Sequence, residues 1–93
     1  MLNDNPLLAF LGRRGRGAVV EALRRNPNRS LSVRELARLA DVAPMAASRA
    51  VRELEALRAV AIARRGRDIA VRLDPTTAAG HFLATVEVPS PPF

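Results

Sequence analysis

Ser48, Arg49 and Arg52 are the residues of this 93-residue sequence whose types and spacing could do recognition chemistry. On a helix turning 100° per residue from Met45, they fall at about 300°, 40° and 340°, with Ala56 at about 20°. They form one stripe. A guanidinium fork bonds guanine or phosphate bidentately, a serine hydroxyl bonds several base edges or a phosphate, and the small Ala46 can lie against a thymine methyl. Ala47, Ala50, Val51, Leu54 and Leu57 occupy the opposite arc, at about 120° to 240°, wide enough to dock on a core. A second basic cluster surrounds Gly66: Arg64, Arg65 and Arg67 repel one another unless a phosphate backbone or minor groove accepts them, and Asp68 can neutralise only one. The competing reading of the same residues is a solvated surface. In that reading Arg49 pairs with Glu53 at i,i+4, Arg52 pairs with Glu55 at i,i+3, and the tip is a plain turn.

Other chemistries lack their parts. There is no cysteine and a single histidine, His81, so neither a thiolate nor a histidine cluster can assemble a metal site. His81 reads as a surface residue of a C-terminal helix. No Gly-rich phosphate loop, no Ser/His/Asp or Cys/His set and no paired carboxylates are present, which argues against an enzyme and implies no cofactor. No apolar run approaches the roughly 18 residues of a membrane span, and no secretion signal opens the chain. The expectation is a cytoplasmic protein.

The formal charge is +6, and all fifteen basic residues are arginines between Arg13 and Arg72. Six acids share that stretch (Glu21, Glu35, Asp41, Glu53, Glu55, Asp68), leaving it +9. Such a field favours polyanions. A GC-rich genome accounts for arginine in place of lysine, but not for the excess over acids. With 48% hydrophobic and 3% aromatic residues, the core must be built from Leu, Val, Ala and Ile, and the length allows one domain.

The elements that must position the arginines are legible from caps and periodicity. Asp4-Asn5-Pro6 opens a short N-terminal helix through Leu7, Leu8, Phe10 and Leu11. A second helix covers 14–25, with Ala18, Val19, Ala22 and Leu23 on its apolar face, weakened at its start by Gly15 and Gly17 and stopped by Asn26-Pro27-Asn28. Ser32-Val33-Arg34-Glu35 is a capping box, starting a helix whose stripe is Val33, Leu36, Ala37 and Ala40 and which ends at Ala40-Asp41. Pro44 stands at the first position of the next helix, which runs to Arg58. Residues 60–63 and 69–73 are β-branched-rich and form a hairpin with a basic tip over 64–68. After the turn at Asp74-Pro75-Thr76, Ala78, Ala79, Phe82, Leu83 and Val86 share one face of a short last helix. Pro89, Pro91 and Pro92 predict a flexible tail over 87–93.

Helix, capping-box helix, short turn, helix, basic hairpin: over about residues 12–74 this order resembles the winged helix-turn-helix family, in particular the ArsR- and MarR-type transcriptional regulators of prokaryotes. The residues that carry the likeness are 31–40, Val42-Ala43-Pro44, 48–57 and the hairpin. The resemblance implies a mainly α protein with a small β-hairpin wing (α+β), about three to five helices, and one domain over 1–86. It implies that helix 44–58 reads the major groove with Pro44, Met45, Ala46, Ser48, Arg49 and Arg52. Arg64, Arg65 and Arg67 would meet backbone or minor groove from the wing, and Ser32 and Arg34 would add backbone contacts. Two positions depart from the pattern. Ala43 stands where a capping Ser or Thr is usual, a loss of about 1 kcal/mol, which Asp41 would offset only in part. Arg58 stands where glycine is usual, so it must turn left-handed or extend the helix.

The function implied is sequence-specific binding of double-stranded DNA by a homodimeric, nucleoid-associated regulator. Leu7, Leu8, Phe10, Leu11 and the apolar face of 78–86 would supply the dimer contact, or else simply close the monomer core. The alternative is a winged-helix protein-interaction adaptor, which would have no need for arginines on both helix and wing.

Overall fold

The computed structural model describes residues 15–86; the expected N-terminal helix at 7–11 and the tail at 87–93 lie outside the described residues. Seven elements follow in order: α1 (Arg16–Arg24), β1 (Leu31–Ser32), α2 (Val33–Ala40), α3 (Pro44–Ala56), β2 (Val60–Arg65), β3 (Asp68–Leu73) and α4 (Ala78–Thr85). The strands form one antiparallel sheet in the order β1-β3-β2. β1 was not expected. Two residues are too few to show an alternating pattern, and only the pairing of Leu31 with Val71 and Ser32 with Ala70 makes them a strand.

The core is aliphatic. Val19, Val20 and Leu23 of α1 meet Leu31, Leu36, Ala50, Val51, Leu54, Val60, Val71, Leu73 and Leu83, all buried, with no buried charged group among the described residues. One expected core residue is misplaced: Ala18 is exposed, and Val20 is buried in its stead. The larger β-branched side chain removes more apolar area from water, so it sets the roll of the helix. Gly15 lies outside α1 as its N-cap, leaving only Gly17 within the first turn.

Helix ends explain the turns. Ser32 Oγ accepts from Glu35 N–H and Glu35 Oε1 accepts from Ser32 N–H, each at 3.0 Å, so the capping box is complete. At the other end of α2, Asp41 is left-handed (φ 56°) and Val42 N–H donates to the Ala37 carbonyl at 3.0 Å. Asp41 therefore ends α2, and no side-chain bond of it to α3 is formed. α3 starts at Pro44 with Ala43 as an N-cap that makes no side-chain bond. It ends at Ala56, two residues before the sequence expectation, because Arg58 turns left-handed (φ 62°) and Ala59 N–H reaches back to the Leu54 carbonyl at 2.9 Å. Both junctions of the α2–α3–wing path thus use the same glycine-type helix stop, built without glycine.

The last helix locks this path in place. Thr77 Oγ1 caps α4 by accepting from Gly80 N–H and donates to the Arg58 carbonyl at 2.6 Å, while Asp74 N–H donates to the Ala59 carbonyl at 2.9 Å. Gly80 is required by contact: a Cβ there would stand 1.8 Å from the Asp74 carbonyl oxygen. Leu83 is fully buried and Phe82 packs against the core, so α4 contributes to the closure of the monomer.

Candidate nucleic-acid interface

Ala47, Ala50, Val51 and Leu54 anchor α3, with Leu57 only half-buried beyond its end. The opposite face points outward. Pro44, Met45, Ala46, Arg49, Arg52 and Ala56 are exposed, Met45 at 69%, and Ser48 is half-buried at the foot of the stripe.

The hairpin reaches further than expected, and Arg64, Arg65 and Asp68 belong to its strands rather than to its loop. Arg65 pairs with Asp68 in register, leaving Gly66-Arg67 as a two-residue turn. Gly66 takes φ 63° at the first central position, where a type II′ hairpin turn needs glycine. Side chains alternate along a strand. Arg64 accordingly lies on the face of Ile62 and Ile69, towards α3, whereas Arg65 lies on the reverse face.

Two recesses join these elements. The larger, of about 640 Å³, is lined by Ser32 and Arg34 at the start of α2, Pro44 and Ser48 of α3, and Arg67, Asp68 and Ile69 of the hairpin. The smaller, of about 270 Å³, lies between α3 and the sheet, where Ser48, Arg52 and Glu55 face Ile62, Arg64 and Ile69. Ser48 lines both. Arg49 sits to the other side, around a recess of about 80 Å³ shared with Gly15, Arg16 and Ala46. The structure thus brings Arg34, Ser48, Arg52, Arg64 and Arg67 together, with Arg49 beside them and Arg65 behind. Ser32 is half-buried with its hydroxyl engaged in the capping box.

Charge is divided along the chain. Among the described residues, Arg16, Arg24, Arg25 and Arg29, on α1 and the turn after it, hold carboxylates: Glu53 with Arg16, Glu21 with both Arg24 and Arg25, and Glu35 with Arg29. No carboxylate of the described residues lies within 4 Å of Arg34, Arg49, Arg52, Arg64, Arg65 or Arg67. The surface pairs Arg49–Glu53 and Arg52–Glu55 are therefore not formed, nor does Asp68 neutralise a wing arginine. Glu53 turns instead to Arg16 on α1, a partner 37 positions away that no local spacing rule could have named. Glu35 also belongs to this network. The Ser32 N–H bond, aided by the Arg29 charge, holds its carboxyl below the usual glutamate range.

No protein-family model matches the sequence, and no curated protein matches it. Solved structures do. The chain is similar to the antimony-specific transcriptional repressor AntR, with 29% identity over 84% of this chain and 68% of that one and a TM-score of 0.68. It is also similar to MepR of Staphylococcus aureus in its complex with DNA (18% identity, 84% of this chain and 63% of that one, TM-score 0.65). A third likeness is to BpsR of Bordetella bronchiseptica, whose DNA binding is regulated by 6-hydroxynicotinic acid (21% identity, 76% and 48%, TM-score 0.61). This chain spans less than two thirds of the length of the last two. The fold is a winged helix-turn-helix of the kind found in MarR-type regulators, with α2 and α3 as the helix-turn-helix and β2–β3 as the wing.

Proposed function

We propose, on the premise of that fold, that this chain binds double-stranded DNA sequence-specifically and acts as a transcriptional regulator. The observation that carries the reading is the division of its arginines. Those on α1 and the following turn are paired with the protein's own carboxylates, whereas, among the described residues, those on α2, α3 and the wing hold none and are left for another anion. Unpaired guanidiniums at fixed separation suit a phosphate backbone, and their binding releases counterions.

In this reading α3 enters the major groove. Met45, Ala46, Ser48, Arg49 and Arg52 approach base edges, with Pro44 and the free N–H groups of the helix start near a phosphate. Arg64, on the wing face that looks towards α3, and Arg67, at the tip, meet the backbone or minor groove, Arg65 reaches it from the reverse face of the wing, and Arg34 adds a contact from α2. Similarity to a transcriptional repressor and to a regulator solved with DNA supports the assignment. The neighbours are transcription regulators rather than enzymes, which agrees with a binding role.

The reading includes a homodimer, because one recognition helix covers too few base pairs for useful specificity. It also places the protein on the nucleoid. Fluorescence anisotropy with a random duplex is the direct test. Binding at low salt that weakens steeply as salt rises is the expected result, and selection from a random duplex pool should then return a palindromic site. If the duplex is not bound even at low salt, the adaptor reading replaces this one.

A further inference from the structure

Among the described residues, the pair formed by Arg16 Nε and Glu53 Oε1, half-shielded from solvent, ties α3 to another element through opposite charges. It stands next to Arg49, since Arg16 and Arg49 line the same small recess. Glu53 lies one helical turn beyond Arg49, at the spacing where the two side chains would otherwise meet. It holds Arg16 instead. The docking face of α3 is built from Ala47, Ala50, Val51 and Leu54, all buried, and its N-cap makes no side-chain bond. A polar tie at the edge of that face adds to this packing in setting the roll of the helix and the direction of its arginines.

We infer that Arg16, which lies outside the DNA-facing stripe, is a positioning residue for base recognition. By holding the Glu53 carboxylate against α1 it helps to fix α3 in roll and keeps that carboxylate off Arg49. This inference rests on the DNA-binding reading above, and it assigns Arg16 an effect on specificity rather than on general affinity.

The test compares wild type, Arg16→Lys, Arg16→Gln, Glu53→Gln and the Arg16→Gln/Glu53→Gln double variant. Each is titrated against a selected duplex and a scrambled one at a single salt concentration, with thermal melting in parallel. Arg16→Gln should weaken the selected duplex by roughly threefold to tenfold, a range set by coupling between residues in contact, and the scrambled duplex far less. Arg16→Lys, which retains the charge and the tie, should stay close to wild type. Once Glu53→Gln is in place, adding Arg16→Gln should have no further effect on discrimination. Equal losses on both duplexes would make Arg16 a backbone contact and overturn the inference, as would a further loss in the double variant relative to Glu53→Gln alone. Should Arg16→Gln fail to fold, Glu53→Gln by itself carries the test: unchanged discrimination in that variant overturns the inference. Wild-type protein that binds neither duplex would refute the DNA-binding reading itself.

Discussion

At the scale of single residues, function rests on which charges are already satisfied. Arg49 and Arg52 are exposed and hold no carboxylate among the described residues, so a base contact through either would be made without first breaking an internal pair. Replacing either with alanine should cost about 1 to 3 kcal/mol of binding and relax preference at one base pair; titrations against single-position operator variants would measure both. Glu35 gives a prediction of a different kind. Its folded pKa lies below the unfolded value, chiefly through the Ser32 N–H bond. Its contribution is therefore complete above the unfolded pKa and lost as pH falls through the folded one. The melting temperature of wild type should fall more between about pH 6 and pH 3 than that of Glu35→Gln, which keeps an acceptor for Ser32 but cannot titrate there. Parallel curves for the two proteins would remove Glu35 from the account.

Elements are held by their ends as much as by their faces. α3 begins without a side-chain cap at Ala43 and stops at a left-handed Arg58, two departures that each weaken the element presenting the arginines. Ala43→Ser should stabilise the protein by about 1 kcal/mol through a new bond to a free N–H of the first turn. Arg58→Gly should add about 1 kcal/mol by relieving the Cβ penalty of the left-handed conformation. Urea melts of the two single variants and their combination would show whether the gains add, as expected for sites at opposite ends of a helix. Gly80 is the reverse case. A methyl group 1.8 Å from the Asp74 carbonyl oxygen cannot be accommodated without moving α4 off the helix–wing junction. Gly80→Ala should cost at least about 3 kcal/mol, visible as a lowered denaturation midpoint by circular dichroism.

At the scale of the whole molecule, the proposed reading requires that one recognition helix per chain achieve useful specificity. A symmetric pair would set two recognition helices about 34 Å apart on one face of the duplex. Sedimentation at micromolar concentration should give twice the chain mass, and a mass of one chain would count against the dimer. The salt dependence belongs to this scale too. Removing Arg64, Arg65 and Arg67 together should lower the slope of log affinity against log salt by nearly one unit for each phosphate that the wing no longer touches. An unchanged slope would mean that the wing does not meet the backbone at all.

The helices, the hairpin and the arginine stripe were legible in the sequence because each is written in short-range chemistry. The Ser32–Glu35 box, Pro44, the 3.6-residue spacing of Ala47, Ala50, Val51 and Leu54, and the glycine-centred turn all act within a few residues. The left-handed stop at Arg58 was likewise one of two outcomes that the missing glycine allowed. What the sequence left open depends on partners distant along the chain. β1 exists only because β3 pairs with it, and Val20 rather than Ala18 faces inward because the whole core selects the larger side chain. The division of the wing, with Arg64 towards α3 and Arg65 behind, follows from the register of the hairpin. Glu53 turns to Arg16 rather than to Arg49 because folding brings α1 beside α3. Local spacing could name the possible pairs, but only the packed chain decided among them.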